Sequence, residues 1–179
     1  MNDFKVLLYS DGSHQAFSAA VYTATLLKNM PNMRLTVVQV HEHDEVAKDT
    51  EYSWINTWPV SPTSEWMKHV LDDSDTETTN EYHKILTKTN EIFSKNARNV
   101  AHQDLYANAE IADTVNVILA YAKKNSFELI VMGTRGLSSL KGLIFGSLAH
   151  TVLNKSAIPV LLIKKLPQTF IESYLSGTV

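Results

Sequence analysis

The sequence predicts a doubly wound α/β fold: a five-stranded parallel sheet with helices on both faces. Apolar segments recur at residues 4–9, 35–40, 129–132 and 158–164, and they are predominantly apolar rather than strictly alternating. Strands buried on both faces have that character. Helical patterns separate these segments, so each pair of strands calls for a right-handed crossover that lays a helix over the sheet. The chain has 179 residues, 44% of them hydrophobic, enough for one substantial core with little left for a second.

The elements follow in order. "FKVLLY" is the first strand, and Ser10-Asp11-Gly12-Ser13 ends it with turn residues, Ser13 serving as N-cap of the next helix. In that helix Ala16, Ala20, Ala24 and Leu27 share one face, small enough for close approach to a sheet, and the Pro31 region stops it. "LTVVQV" is β-branched and short, hence the second strand. Residues 41–75 carry Pro59, Pro62 and the three tryptophans Trp54, Trp58 and Trp66, and read as an insertion. From Thr76, Tyr82, Ile85, Leu86, Ile92 and Phe93 mark a long amphipathic helix. A weaker strand is expected at residues 103–107, then a helix through Val115, Ile118, Leu119 and Ala122 capped by Asp113 or Thr114. "LIVM" is the next strand, a helix starts near Ser147, and "IPVLLIK" is the last strand. The expectation is one domain over residues 1–179, with the insertion at about 41–75 and a tail at about 165–179.

Composition removes several functions. A formal net charge of −3 and a pI near 6.1 offer nucleic-acid phosphates no global attraction. The absence of cysteine excludes disulfides, thiolate metal sites and a cysteine nucleophile. The first residues, "MNDFKVLLYSDGS", hold only a five-residue apolar stretch, too short for a signal peptide or a membrane span. The expectation is therefore a soluble, cytoplasmic protein that binds neither nucleic acid nor membrane. "HEHDE" at residues 41–45 mixes metal-ligand types without metal-site spacing and reads as a solvated loop, so no metal ligand is assigned. His14, His83 and His150 have no serine or carboxylate partner at catalytic spacing, so no catalytic residue is assigned.

The densest signal lies after the fourth strand. Gly133, Gly136, Gly142 and Gly146 are four of the chain's six glycines, in "MGTRGLSSLKGLIFGS". Glycine admits positive φ and close approach of backbone to a ligand, and inward-facing amides make an anion-binding concavity. Gly146-Ser147 then opens a helix whose first N–H groups favour a phosphate. On spacing alone the same glycines serve a turn and a helix start equally well. Neither a Walker loop nor a Gly-x-Gly-x-x-Gly fingerprint is present.

The motif Gly133-x2-Gly136-x9-Gly146-Ser147, with "VLLYSDGSHQA", "LTVVQVHE" and "AIPVLLIK", resembles the universal stress protein family, in the branch that binds ATP through Gly-x2-Gly-x9-Gly-Ser/Thr. The resemblance implies the doubly wound fold and a site at the carboxyl ends of three strands. It gives Asp11 the ribose hydroxyls and the backbone of Val40 the adenine, with Tyr9 and Ser10 as wall residues. Met132 and Gly133 would flank the nucleoside. The amides around Arg135, Gly136, Gly146, Ser147 and Leu148 would hold the phosphates, with the Ser147 hydroxyl as a further donor and Arg135 as a charge partner. It implies ATP as ligand, with Mg2+ on the phosphates left open, and a homodimer through the last strand from about Pro159 to Ile163, the protein partners being unknown. The function expected is a nucleotide-dependent regulatory or stress-response protein, with the insertion covering the nucleotide. Two alternatives stay open: a nucleotide-independent dimeric scaffolding module, and a slow ATPase.

Overall fold

The computed structural model of the chain describes residues 2–11, 13–42, 76–108, 110–135 and 146–177. Among these, the elements run β1 (Phe4–Tyr9), α1 (His14–Asn29), β2 (Met33–Glu42), α2 (Thr76–Lys95), β3 (Val100–Ala107), α3 (Ile111–Lys124), β4 (Leu129–Gly133), α4 (Ser147–Lys155), β5 (Val160–Ile163) and α5 (Gln168–Ser176). A single 3-10 turn, Ala97–Asn99, joins α2 to β3. The five strands form one parallel sheet in the order β3-β2-β1-β4-β5. The chain moves one way from β1 to β3, then returns across β1 to β4 and β5. The winding reverses between β1 and β4, and ligands in such sheets gather beyond the strand ends at that place.

Both faces of the sheet are covered, which explains why its central strands β1 and β4 are predominantly apolar. On one face Val6, Leu8, Leu35, Val37, Val131 and Ile163 pack with Ala20, Ala24 and Leu27 of α1 and Phe93 of α2. On the other, Leu7, Tyr9, Val38, Ile130 and Met132 pack with Val115, Ile118 and Ala122 of α3 and Ala149 and Val152 of α4. Alternate residues of β1 thus enter opposite layers, as the two-residue period of a strand requires. The small residues of α1 let its backbone lie close to the sheet, and Thr23 and Thr25, buried on the same helix, direct their hydroxyls to the carbonyls of Ala19 and Val21.

Several boundaries differ from the sequence expectation. β2 runs from Met33 to Glu42, beyond residues 35–40: β1 pairs with its start from Phe4↔Met33, and β3 pairs with it from Leu35↔Val100 to Glu42↔Ala107. β3 begins at Val100 for the same reason. The N-cap of α3 is Glu110, not Asp113 or Thr114. Thr114 N–H already donates to Glu110 O at 3.0 Å, and Asp113, inside the first turn, accepts from Asn108 Nδ2 at 2.6 Å. β5 is shorter than the apolar run: Ser156 Oγ accepts from Ile158 N–H and donates to Ile158 O, a turn that holds the chain out of the strand until Val160.

The region expected as a tail contains α5. Pro167 precedes it and Gly177 ends it in the left-handed region at φ 76°, the bracketing expected of a helix. The ring of Phe170 meets Tyr22 of α1 at 6.1 Å, and Tyr174 Oη donates to Thr89 Oγ1 of α2 at 3.3 Å. Residues 43–75, most of the expected insertion with its tryptophans, lie outside the described residues.

Candidate functional site

β1 delivers three of the expected site residues to the point where the winding reverses. Tyr9 is buried in the layer under α3 and α4. Burial, and then the charge of Asp11, push its hydroxyl well above the usual tyrosine range. Ser10 is 1% exposed, and its Oγ has no hydrogen-bond partner among the described residues. A buried hydroxyl without a partner is costly, and such groups call for a local explanation. Asp11 stands just past the strand end. Burial raises its pKa, while the neighbouring Ser13 hydroxyl and the amides of Ser13 and of Asp11 itself pull the other way. The N–H of Ser13 donates to Asp11 Oδ1 at 3.0 Å.

Ser13 also caps α1 as expected, its hydroxyl accepting from Ala16 N–H at 3.0 Å. The same hydroxyl donates to the carbonyl of Arg135 at 3.1 Å. The acidic turn after β1 is thereby joined to the loop after β4.

β2 brings Val40 alongside. Ser10 N–H donates to Val38 O at 3.0 Å, and the β1–β2 register ends at Tyr9↔Val38. Peptide groups two apart on a strand point the same way, so those of Val40 face the β1 side beyond the end of that ladder. The side chain of Val40 packs with the α3 and α4 layer.

β4 supplies Met132, 2% exposed in the same layer, and Gly133. A Cβ on Gly133 would come within 2.7 Å of the Gln15 carbonyl carbon and 2.8 Å of Ala16 N. This glycine lets the first turn of α1 lie against the end of β4. Among the described residues only Ser126 and Gly177 have positive φ, so neither Gly133 nor Gly146 uses the left-handed freedom that the sequence reading offered as one reason for glycine. Gly146 is the extended N-cap of α4 at φ −67° and ψ 157°.

The N–H of Gly146 donates to Thr134 O at 2.8 Å, and Thr134 N–H donates to Ile163 O at 2.9 Å. The first bond closes the base of the loop between Thr134 and Gly146, and the second ties Thr134 to the end of β5. Because the Gly146 amide is engaged, the helix start offers the amides of Ser147, Leu148 and Ala149, for which α4 itself has no acceptor. Ser147 is exposed and Leu148 half-buried. Gly136 and Gly142, with residues 136–145, lie outside the described residues.

One feature of this end of the sheet was misread in the sequence. His41 belongs to β2 rather than to a solvated loop, and its Nε2 lies 2.8 Å from Asp104 Oδ1 on β3. Its ring also meets Tyr106 at 5.9 Å. The register His41↔Tyr106 and Gln39↔Asp104 puts these residues on one face, and the period-2 spacing of His102, Asp104 and Tyr106 was the available signal. Burial lowers the pKa of His102, with Asp104 opposing. No group of three potential metal ligands occurs among the described residues, and no helix among them is long and apolar enough to cross a membrane.

Comparison with known proteins agrees with this architecture. The chain is 36% identical over 97 residues to universal stress protein YxiE of Bacillus subtilis, a stretch that is 54% of this chain and 62% of that protein, so it spans less than two thirds of that relative. It is 28% identical over 169 residues to the stress response protein NhaX of Bacillus subtilis, covering 89% of this chain and 97% of that one. Among solved structures, universal stress protein UspA of Lactobacillus plantarum superposes with a TM-score of 0.55 at 19% identity, covering 91% of this chain and 99% of that chain. A universal stress protein in complex with cAMP superposes with a TM-score of 0.52 at 17% identity, covering 93% of this chain and 100% of that chain. The sequence model described as the universal stress protein family matches residues 4–164, and with nine-tenths of its length so matched, the chain belongs to that family.

Proposed function

We propose that the chain binds ATP in the crevice between the ends of β1 and β4, and that nucleotide occupancy biases its conformation or its partners. The observation that carries this reading is the pair Ser10 and Asp11: a buried hydroxyl without a partner among the described residues beside a carboxyl whose ionised form burial disfavours. Both are unfavourable in isolation, and both gain from ligand hydroxyls as hydrogen-bond partners. Val40 has peptide groups facing past the end of β1, which supports its expected role toward adenine. The start of α4 supports the phosphates through Ser147 and Leu148, with Arg135 close to the loop entrance and Tyr9, Met132 and Gly133 as the wall beneath.

Adenine is favoured over other bases by what the family resemblance implies and by the cAMP complex of a structural relative. Mg2+ would arrive with the phosphates. Turnover is proposed as slow or absent, since Asp11 is taken by the ribose and no general base for water is assigned. A homodimer through β5 belongs to the same reading: Val160–Ile163 is an edge strand with half-exposed Val160, Leu161 and Leu162, and such an edge invites pairing.

A second reading, a scaffolding module that takes no nucleotide, draws support from two glycines that packing alone explains. Gly133 is needed for α1, and the Gly146 amide is satisfied by Thr134. Ultraviolet absorbance and mass spectrometry of small molecules released from the purified protein distinguish the two. An adenine nucleotide in the released fraction supports the first reading. An empty fraction together with no heat on titrating ATP supports the second.

A further inference from the structure

Ser13 is legible in the sequence only as a helix cap. A cap requires an acceptor, and the Ser13 hydroxyl fills that role for Ala16 N–H at 3.0 Å. Its proton is a separate resource, directed across the switch point to the carbonyl of Arg135, 122 positions away in the chain, at 3.1 Å. The amide of Ser13 meanwhile holds Asp11 Oδ1 at 3.0 Å, and the hydroxyl also stands against the Asp11 carboxyl. Ser13 is 4% exposed, so water competes little for any of these bonds.

The far end of this connection is itself fixed. Thr134 donates to Ile163 O and accepts from Gly146 N–H, so the loop's entry and exit meet at one residue. Arg135 is the first position past that closure, where the backbone leaves the sheet. A bond to its carbonyl therefore fixes the orientation of the Arg135 peptide group.

We propose that Ser13 is a positioning residue that couples the acidic turn of β1 to the start of the glycine-rich loop. It fixes the spacing between Asp11 and the peptide group of Arg135 before a ligand arrives. The tie itself is independent of the ligand, whereas its effect on affinity rests on the ATP reading above.

The test compares Ser13→Gly and Ser13→Thr with the native full chain. Glycine is nearly as good an N-cap as serine, so α1 is retained while the tie is lost. Threonine keeps a hydroxyl that can cap and donate. In the ligand-free protein the amide of Gly146 is expected to exchange about tenfold faster in Ser13→Gly, the size of one lost hydrogen bond. Amides in the middle of α1 are expected to hold their native rates, and Ser13→Thr to restore the slow Gly146 exchange. Calorimetric titration with ATP is expected to show about a tenfold loss in Ser13→Gly, recovered in Ser13→Thr. Native Gly146 exchange in Ser13→Gly overturns the proposal. Faster exchange in a protein that binds no ATP even in native form supports the tie and removes the nucleotide reading instead.

Discussion

A Cβ on Gly133 would lie 2.8 Å from the Cβ of Gln15 and 2.7 Å from its carbonyl carbon. The last residue of β4 and the second residue of α1 therefore meet through backbone, with no room for a side chain between them. Gly133→Ala must push α1 away from β4 or distort the strand end. A loss of about 1–3 kcal/mol in denaturant-unfolding free energy is expected, the usual cost of overpacking a tight contact. Native stability in Gly133→Ala would show that the contact relaxes without strain.

Asp11 predicts a pH dependence with a definite sign. Burial raises its pKa in the folded chain, so folding binds its proton more tightly than the unfolded state does. That contribution is fully present below the ordinary carboxylate range and is lost as pH rises through the raised value. Asp11→Asn removes the charge and keeps an oxygen for Ser13 N–H. The ligand-free variant should melt higher than the native protein at neutral pH, with the difference closing as pH falls below the carboxylate range. A variant that melts lower at neutral pH would show that the ionised Asp11 is net stabilising.

Much of this was readable in the sequence because its signals are local. The apolar runs at β1 and β4, the Ser13 cap and the small-residue face of α1 each follow from neighbours a few positions apart. What escaped reading depends on distant partners. The extension of β2 to Glu42 and the His41–Asp104 contact follow from β3, some 60 residues away. α5 carried the bracketing Pro167 and Gly177 and the apolar Phe170 and Tyr174, yet so short a helix is sustained by α1 and α2 rather than by propensity. The purpose of Gly133 was likewise hidden, since a glycine spacing does not distinguish backbone packed against a helix from backbone packed against a phosphate.

α5 makes its own prediction. Thr89 is fully buried, and Tyr174, 4% exposed, donates to it. Burial pushes the Tyr174 hydroxyl up to about 12. Tyr174→Phe leaves Thr89 without this donor and should cost about 1 kcal/mol, or about 2–4 °C in Tm for a chain of this size. Truncation after Lys165 should cost more, since it also uncovers Tyr22. A truncated chain that melts with the full chain would make α5 dispensable.

The β5 edge predicts the assembly. If Val160–Ile163 pairs with a second copy, sedimentation or light scattering at micromolar concentration should give twice the chain's 20.1 kDa. A monomer mass under those conditions removes the dimer proposed through this edge.

The central claim is that the crevice between β1 and β4 takes ATP through Asp11. Calorimetric titration of ATP into the native protein and into Asp11→Asn tests it most directly. The account predicts one site per chain in the native protein. In the variant it predicts affinity lower by at least about tenfold, because a charge-assisted hydrogen bond is worth about 1.5–3 kcal/mol. Absence of binding to the native protein, or equal affinity in the folded variant, would contradict it.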